Sequence, residues 1–349
     1  LPIRIFQVVP GGLPVDAKFS NSKSLTLSQE KTAVKHPHVL GLGEVFSWTK
    51  VTLREPKTMK SISSMLECDC IINGHTAGAS DKKLNAYVSS GILSCHEPIN
   101  FDQVLERLRL GMWIMIREGS IRRDLNEIIP RVLSHGTYLN RLMFCSDGLD
   151  PLDITKFGHI DHCIRESIRH GLKPIDAVTI ASKNNFDYYN MGKDLGGIAP
   201  GKLADILIFD DLKSFKPTKV FVGGKLVISN GRFVIPIKKK PIPSWIKKTV
   251  KLKNFSKNDF LIKSKKKNVL ANTIFMQSEI ITKLGSSELQ SINGNVPASL
   301  NSDVWKVAAF DRIHGTNRHS IGFLENFGAD IGAFASTWSF HENDLIVIG

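Results

Sequence analysis

The chain has 349 residues, a hydrophobic fraction of 42% and a charged fraction of 23%, values ordinary for globular proteins of two or three domains. It has no apolar run of about 18 residues, so no membrane-spanning helix is expected. The net charge of +13 comes almost entirely from residues 238–267, which hold twelve lysines and one acid, Asp259. This favours a solvated linker over a basic nucleic-acid-binding face, so nucleic acid is not an expected partner. Binding through this segment stays an alternative, because aromatic residues such as Trp245 lie among the lysines.

Five cysteines, an odd number set mostly in apolar runs, are typical of reduced thiols rather than of a disulfide framework. They favour a cytoplasmic protein. The chain starts at Leu1 within a strand-like stretch that lacks the features of a signal peptide.

Short apolar runs alternate with amphipathic stretches over the first 190 residues. The alternation predicts an α/β fold with a parallel sheet. The predicted strands are residues 3–9, 38–43, 70–72, 92–94, 112–116 and 142–144. The predicted helices are residues 53–67, 82–90, 101–110, 122–133, 159–170 and 174–183, with Pro130 near the end of its helix. A whole (β/α)8 TIM-type barrel needs roughly 250 residues, so residues 1–190 are expected to form part of a barrel, cut at its amino end.

The remaining residues fall into three predicted segments. Residues 191–237 carry strand patterns and a Gly223-Gly224 hairpin turn, and are expected to form a small β-domain segment. Residues 238–268 are the lysine-rich linker. Residues 269–349 are expected to form a separate α+β domain, with strands near 304–308 and 345–348.

Four ligand-type side chains stand at the carboxyl ends of predicted strands: Glu44, His75, His96 and Asp147. Two imidazoles and two carboxylates on successive strand ends are what a (β/α) barrel uses to bind a divalent metal. Gly43 and Gly74 precede two of them, and we expect the missing side chains to let a metal or ligand approach. The alternative is that each residue is an ordinary polar group at a strand end. His159 and His162 fit the polar start of a helix better than a metal site.

Several motifs together resemble adenine deaminases of the amidohydrolase superfamily. They are Gly-Leu-Gly-Glu-Val (41–45), Asn-Gly-His (73–75), His-Glu (96–97), Ile-Arg-Glu-Gly-Ser (116–120), Gly-His-Ile-Asp-His (158–162) and Gly-Gly-Ile-Ala-Pro-Gly-Lys-Leu-Ala-Asp (196–205). The tail from Arg312 to Gly349 resembles that family's carboxyl-terminal domain. The resemblance covers nearly the whole chain in the right order.

The resemblance implies a dinuclear metal site, commonly manganese or iron, that activates water for attack on C6 of adenine in purine salvage. Glu44 would be the bridging ligand, His75 and His96 the imidazole ligands, and Asp147 a ligand that also moves the proton. The implied residues that hold the purine are Glu97, Arg117 and Glu118. A homo-oligomer is also implied.

The sequence departs from the family pattern in several places. The family's amino-terminal His-x-His pair is not in this sequence, Cys95 stands where Asp is usual, and residues 340–344 differ from the family's His-rich stretch. The chain is therefore expected to be a fragment that lacks the amino-terminal part and the extreme carboxyl-terminal part. Two other functions stay open: another amidohydrolase acting on a related cyclic substrate, or a non-catalytic relic.

Overall fold

A computed structural model of the chain describes residues 2–11, 24–212, 214–238, 240–252, 255–278, 281–329, 332–337 and 344–349. The first of two compact units contains the described part of residues 1–12 and 25–239, and the second that of residues 13–24 and 240–349. Most of the predicted loop at 10–14, and residues 340–343, lie outside the described residues. No helix in the described ranges is long and apolar enough to cross a membrane.

The first unit begins with six strands that pair in chain order. They are β1 (Gln7–Val9), β2 (Val39–Val45), β3 (Ile71–Gly74), β4 (Ser94–Cys95), β5 (Trp113–Arg117) and β6 (Leu142–Cys145). All pairs within the β1-β2-β3 sheet and within the β4-β5-β6 sheet are parallel. The two sheets meet where the Gly74 amide donates to Ser94 Oγ at 3.2 Å. The predicted βα alternation is confirmed, although β1 is shorter than the strand expected over 3–9.

Helices connect and cover these strands. They are α1 (Leu27–Ala33), α2 (Trp48–Thr52), α3 (Pro56–Leu66), α4 (Asp81–Val88), α5 (Phe101–Arg109), α6 (Leu125–His135), α7 (Pro151–Phe157), α8 (Ile160–Arg169), α9 (Pro174–Ala181) and α10 (Lys183–Tyr188). Helix α5 shows why they form: the Asn100 side chain accepts from the Gln103 amide at 3.0 Å and caps its start. Phe101 and Val104, one turn apart on one face, are then buried against the sheet.

Two predicted helix limits were wrong. The helix expected over 53–67 begins only at Pro56, as α3, because the residue before a proline does not readily continue a helix; the short helix α2 ends before this stretch, at Thr52. Pro130 lies in the middle of α6, which continues five residues beyond it to His135. Pro130 removes one backbone hydrogen bond from the helix interior, and the buried apolar face of Leu125, Ile128 and Val132 holds the helix together in spite of it.

The core of this unit lies between the strands and their helices. Ile114, Leu142 and Met143 have no exposed surface, as expected of strands covered on both faces. Burial of each such side chain contributes about 1.5–3 kcal/mol, so the strands are held firmly enough to fix what stands at their ends.

The rest of the first unit is an antiparallel sheet in the order β10-β9-β8-β7. Its strands are β7 (Ile206–Phe209), β8 (Pro217–Val222), β9 (Lys225–Ser229) and β10 (Arg232–Phe233). The predicted hairpin at Gly223-Gly224 is confirmed: both residues have positive φ, 56° and 77°, which glycine adopts at little cost.

The second unit is built on a six-stranded mixed sheet in the order β12-β11-β14-β13-β16-β15. Its strands are β11 (Asn268–Met276), β12 (Thr282–Gln290), β13 (Val304–Asp311), β14 (His319–Glu325), β15 (Phe334–Ser336) and β16 (Asp344–Ile348). The strands predicted near 304–308 and 345–348 are confirmed. The expected helical part of an α+β domain was wrong for the described residues of this unit, whose helices are three short 3₁₀ turns. In the lysine-rich segment, Trp245 is 77% exposed.

A buried arginine fixes the loop that follows β3. Arg107 of α5 is 2% exposed and donates to the backbone oxygens of Thr76 and Ala79 at 2.9 and 3.0 Å. Its Nε also donates to Thr76 Oγ1 at 2.9 Å. The loop begins immediately after His75, so Arg107 helps to set where that imidazole stands.

Replacement of Arg107 by Met should lower the free energy of unfolding by about 3 kcal/mol, because buried carbonyl oxygens lose a charged donor. Urea unfolding followed by circular dichroism measures the change. Arg109→Met, on the exposed side of the same helix, is the control and should stay within about 0.5 kcal/mol of the parent. Equal losses in both variants would contradict the role of Arg107.

Candidate metal centre

The structure brings the four predicted ligand-type residues to one edge of the parallel strands. Glu44 is the penultimate residue of β2, His75 and His96 directly follow β3 and β4, and Asp147 lies two residues beyond β6. The carboxyl ends of parallel strands meet at one edge, which is why residues 103 positions apart in sequence, Glu44 and Asp147, both lie near His96.

His96 is the centre of the group. Its Nε2 lies 3.1 Å from Glu44 Oε2 and 3.7 Å from Asp147 Oδ2. Glu44, His75 and His96 form one triad of ligand-type side chains, with one ligand atom of each lying within 4.8 Å of the others. His96 also belongs to a second triad of ligand-type side chains.

Glu97 belongs to this second triad, with His96 and Asp147. Its Oε1 lies 3.3 Å from His75 Nε2 and 3.4 Å from His96 Nε2. The sequence predicted Glu97 as a substrate-binding residue, whereas its position among the ligand-type atoms also allows it to bind metal.

Two arginines balance the carboxylates of this group. Arg117 is the last residue of β5. Its Nη1 lies 2.8 Å from Glu97 Oε1 and 2.5 Å from Asp147 Oδ2. Arg122 donates to Glu97 Oε2 at 2.8 Å and to the His96 carbonyl oxygen at 2.9 Å, and its Nε lies 2.8 Å from Asp124 Oδ2. Both side chains are about nine-tenths buried, which strengthens these charged hydrogen bonds.

Arg122 was missed by the sequence analysis, which placed it in a helix. The helix α6 starts only at Leu125, and a turn closed by backbone pairing of Glu118 and Arg123 precedes it. The turn returns Arg122 to the strand ends. A basic residue a few positions after a strand end was the only signal available in the sequence.

A network of hydroxyl and amide groups connects the carboxyl ends of strands β2, β3 and β4. The Tyr188 hydroxyl lies within hydrogen-bond distance of both Asn73 Oδ1, at 2.9 Å, and Ser94 Oγ, at 2.8 Å. The Tyr87 hydroxyl donates to the Val45 carbonyl at 2.7 Å and accepts from the His75 amide at 3.1 Å. These contacts join the ends of β2, β3 and β4, and therefore set the spacing of the side chains they carry.

The role expected of Gly43 and Gly74 was wrong. A Cβ at Gly74 would lie 2.4 Å from the Ser94 carbonyl oxygen, and one at Gly43 would lie 2.8 Å from a methyl carbon of Val8. These glycines let neighbouring strands approach each other closely, so they shape the scaffold rather than leave space for a ligand.

The charges of the group perturb its ionisation. Burial alone lowers the pKa of His96, but the hydrogen bond and charge of Glu44, with the charges of Glu97 and Asp147, raise it overall. Burial alone raises the pKa of Glu97, but the hydrogen bond and charge of His75 and the charge of Arg122 hold it well below its usual range. A buried, ionised carboxylate beside imidazoles is a set of donors that manganese, iron and zinc bind well.

Glu118 lies apart from this group. Its Oε1 is 3.5 Å from His162 Nε2 of α8, whereas its neighbour Arg117 faces Asp147. The other histidine of that motif, His159, is the N-cap residue of α8, and its Nε2 lies 3.1 Å from Ser146 Oγ. The prediction that His159 and His162 mark a helix start is confirmed.

The arrangement of the donor side chains in the structure fits a divalent metal. Five ligand-type side chains converge in two triads, and buried arginines hold Glu97 and Asp147 in place. A strand-end cluster of this kind on parallel βα units defines a metal-dependent α/β protein.

Comparison with known proteins assigns this chain within that class. Residues 48–227, 180 of the 349, match the amidohydrolase family, and residues 279–349 match the adenine deaminase C-terminal domain. The chain belongs to the amidohydrolase family, whose members are metal-dependent.

Two curated relatives match over the full chain. An adenine deaminase of Cenarchaeum symbiosum is 60% identical over 349 residues, and one of Kosmotoga olearia is 32% identical over 350 residues. The chain covers 57% and 60% of the lengths of these relatives. Among solved structures, a β-aspartyl dipeptidase of Fervidobacterium islandicum aligns with a TM-score of 0.46 at 18% identity, over 61% of this chain and 63% of that one.

Glu118 gives a prediction on pH and stability. Burial raises its pKa from 4.5 to about 7, helped by Glu166 and Asp124 and opposed by the Leu125 amide and Arg123. Between pH 4.5 and about 7 the Glu118 carboxyl of the folded protein holds a proton that the unfolded chain releases. The free energy of unfolding therefore falls as the pH rises and levels off above about 7. The free energy of unfolding of Glu118→Gln should not fall in this way. Relative to the parent it should rise by up to about 3 kcal/mol between pH 5 and 8.

Urea unfolding at pH 5 and pH 8 measures the gain, with Glu127→Gln as the control because Glu127 is exposed on α6. Parallel pH dependence for the parent and Glu118→Gln would show that Glu118 ionises normally.

Proposed function

We propose that the natural protein containing this chain is a metal-dependent adenine deaminase, which hydrolyses adenine to hypoxanthine and ammonia. The observation that carries the proposal is the match at 60% identity, over the whole of this chain, to a protein named adenine deaminase, together with the match to the adenine deaminase C-terminal domain. The strand-end cluster supplies the chemistry that such a reaction needs.

In this proposal the six βα units are part of an eightfold barrel whose mouth holds the metal site. Glu44, His75, His96 and Asp147 would bind two divalent ions, manganese or iron, and Glu97 is close enough to join them. When bound, the metals would supply Lewis-acid activation of water at neutral pH.

The residues of the chain then have separate roles. Asp147 is held by Arg117 at 2.5 Å, and we assign to it the transfer of a proton toward the departing amine. Arg117 and Glu97 orient the purine edge. Arg122 acts as a positioning residue through Glu97 and the His96 carbonyl. A substrate role for Glu118 stays part of the prediction, although its described ion-pair contact is with His162.

The proposal includes a cytoplasmic location in purine salvage and a homo-oligomeric assembly. The resemblance to the family supports both, and light scattering of the purified protein tests the second.

Replacement of His96 by Asn should remove the side chain that both triads share. We expect the metal content of the whole natural protein to fall from about two ions per chain to about one or fewer. Metal analysis after dialysis measures it. His135→Asn, at an exposed histidine of α6, is the control. Full metal content in His96→Asn would contradict the assignment.

Replacement of Asp147 by Asn should lower kcat for ammonia release from adenine by about 10²–10⁴-fold, because the proton-transfer group is lost. The assay uses the whole natural protein loaded with manganese or iron, and the exposed Asp69→Asn is the control. Parent protein that releases no ammonia from adenine would overturn the proposed function, and a panel of other cyclic amidines and amides would then identify the substrate class.

A further inference from the structure

A second group of ionisable side chains surrounds a cavity of about 780 Å³ in the first unit. The cavity lies between the end of β5, helices α6, α7 and α8, and the loop at 214–217. None of the described residues that line it belongs to the strand-end cluster. Its volume is within the range of small-molecule sites.

Glu118 forms the buried part of this cavity. It is 7% exposed, and its Oε2 has no hydrogen-bond partner among the described residues. Its Oε1 lies 3.5 Å from His162 Nε2, and His162 Nδ1 lies 3.7 Å from Glu166. An unsatisfied carboxyl oxygen at this depth is costly, which indicates that a ligand group completes it. Since burial raises the pKa of Glu118 to about 7, the carboxyl can donate as well as accept near neutral pH.

The rim of the cavity is positively charged. Five cationic side chains line it against three carboxyl groups, of which Glu118 is one. The cations are Arg123, Lys156, Arg165, Arg169 and Lys216. The excess favours an anionic ligand.

The arginines of the rim already have partners. Arg165 lies 2.7 Å from Asp161, Arg123 lies 3.2 Å from Asp153, and Arg169 pairs with Glu166. The two lysines differ: within the described part of the chain, neither has a carboxylate at ion-pair distance. Lys156 Nζ lies 4.8 Å from the centre of the Phe157 ring. The uncompensated charge therefore stands on two lysines.

We propose that this cavity binds a small phosphate ester, with its phosphate against Lys156 and Lys216 and a hydroxyl or amine group hydrogen-bonded to Glu118. A phosphate monoester is favoured over a single carboxylate, because its charge near −2 matches two lysines. The site shares Glu118 with the residues predicted to contact the deaminase substrate, and none of the other described residues that line it belongs to that set.

Isothermal titration of the whole natural protein with ribose 5-phosphate, inorganic phosphate and ribose tests the proposal. The His96→Asn background is used so that phosphate binding at the strand-end cluster does not contribute. Ribose 5-phosphate should bind saturably and more tightly than inorganic phosphate, and ribose should bind least. Inorganic phosphate binding as tightly as the ester would overturn the proposed contact with Glu118.

The double variant Lys156→Gln/Lys216→Gln should weaken ribose 5-phosphate binding by about tenfold or more. The matched control, Lys82→Gln/Lys173→Gln, changes two exposed lysines outside the cavity and should stay within about twofold. Equal weakening in both doubles would show general charge attraction and overturn the site.

Glu118 has its own pair of variants. Glu118→Met should weaken the ester by about fivefold and leave inorganic phosphate unchanged, since only the ester reaches the buried carboxyl. Glu118→Gln keeps a donor and an acceptor in the same shape, and should bind the ester within about threefold of the parent. Circular dichroism confirms that each variant is folded. Absence of saturable binding by the ester to the folded parent would also overturn the proposal.

Discussion

The close approach of three carboxylates around His96 is the constraint on which the first unit depends. Glu44, Glu97 and Asp147 all lie within 3.7 Å of His96 Nε2. Ligand atoms of Glu97 and Asp147 lie within 4.8 Å of each other, and like charges at such a separation repel. Arg117 offsets that repulsion at Glu97 and Asp147, and Arg122 offsets it at Glu97. Rigid strands are needed as well, because a flexible edge would relax by moving the charges apart. The apolar core of the strands and the two arginines therefore have the same effect: they preorganise this cluster of ligand-type side chains.

The predictable part of the structure was what local pattern and strand direction determine. Apolar runs identified all six parallel strands, and the rule that their carboxyl ends meet placed Glu44, His75, His96 and Asp147 together. Arg122 and Tyr188 were missed because their roles depend on contacts between distant segments, which no periodicity encodes. The glycines show a different limit: the sequence marked Gly74 as unusual, but only the neighbouring Ser94 carbonyl explains why.

The second unit was harder to predict for a physical reason. The hairpin of β11 and β12 carries exposed apolar residues such as Leu270 and Leu284 among polar ones, so its alternation is weak. The parallel pairing of β11 with β14, strands that are separated by β12 and β13 in the chain, is likewise invisible to local pattern. By contrast, a two-glycine turn between apolar runs predicted the β8–β9 hairpin correctly, since the turn chemistry is itself local.

The hydroxyl of Tyr188 has a consequence for how the protein is made. It joins Asn73 and Ser94, which precede it by 115 and 94 residues. Contacts of such long sequence separation form late, because the intervening chain must be ordered first. During synthesis, β3 and β4 therefore leave the ribosome well before the residue that aligns their ends. Until α10 docks, the ends of β3 and β4 lack this shared contact. The contact that joins the two strand ends is thereby made only after most of this unit has been synthesised.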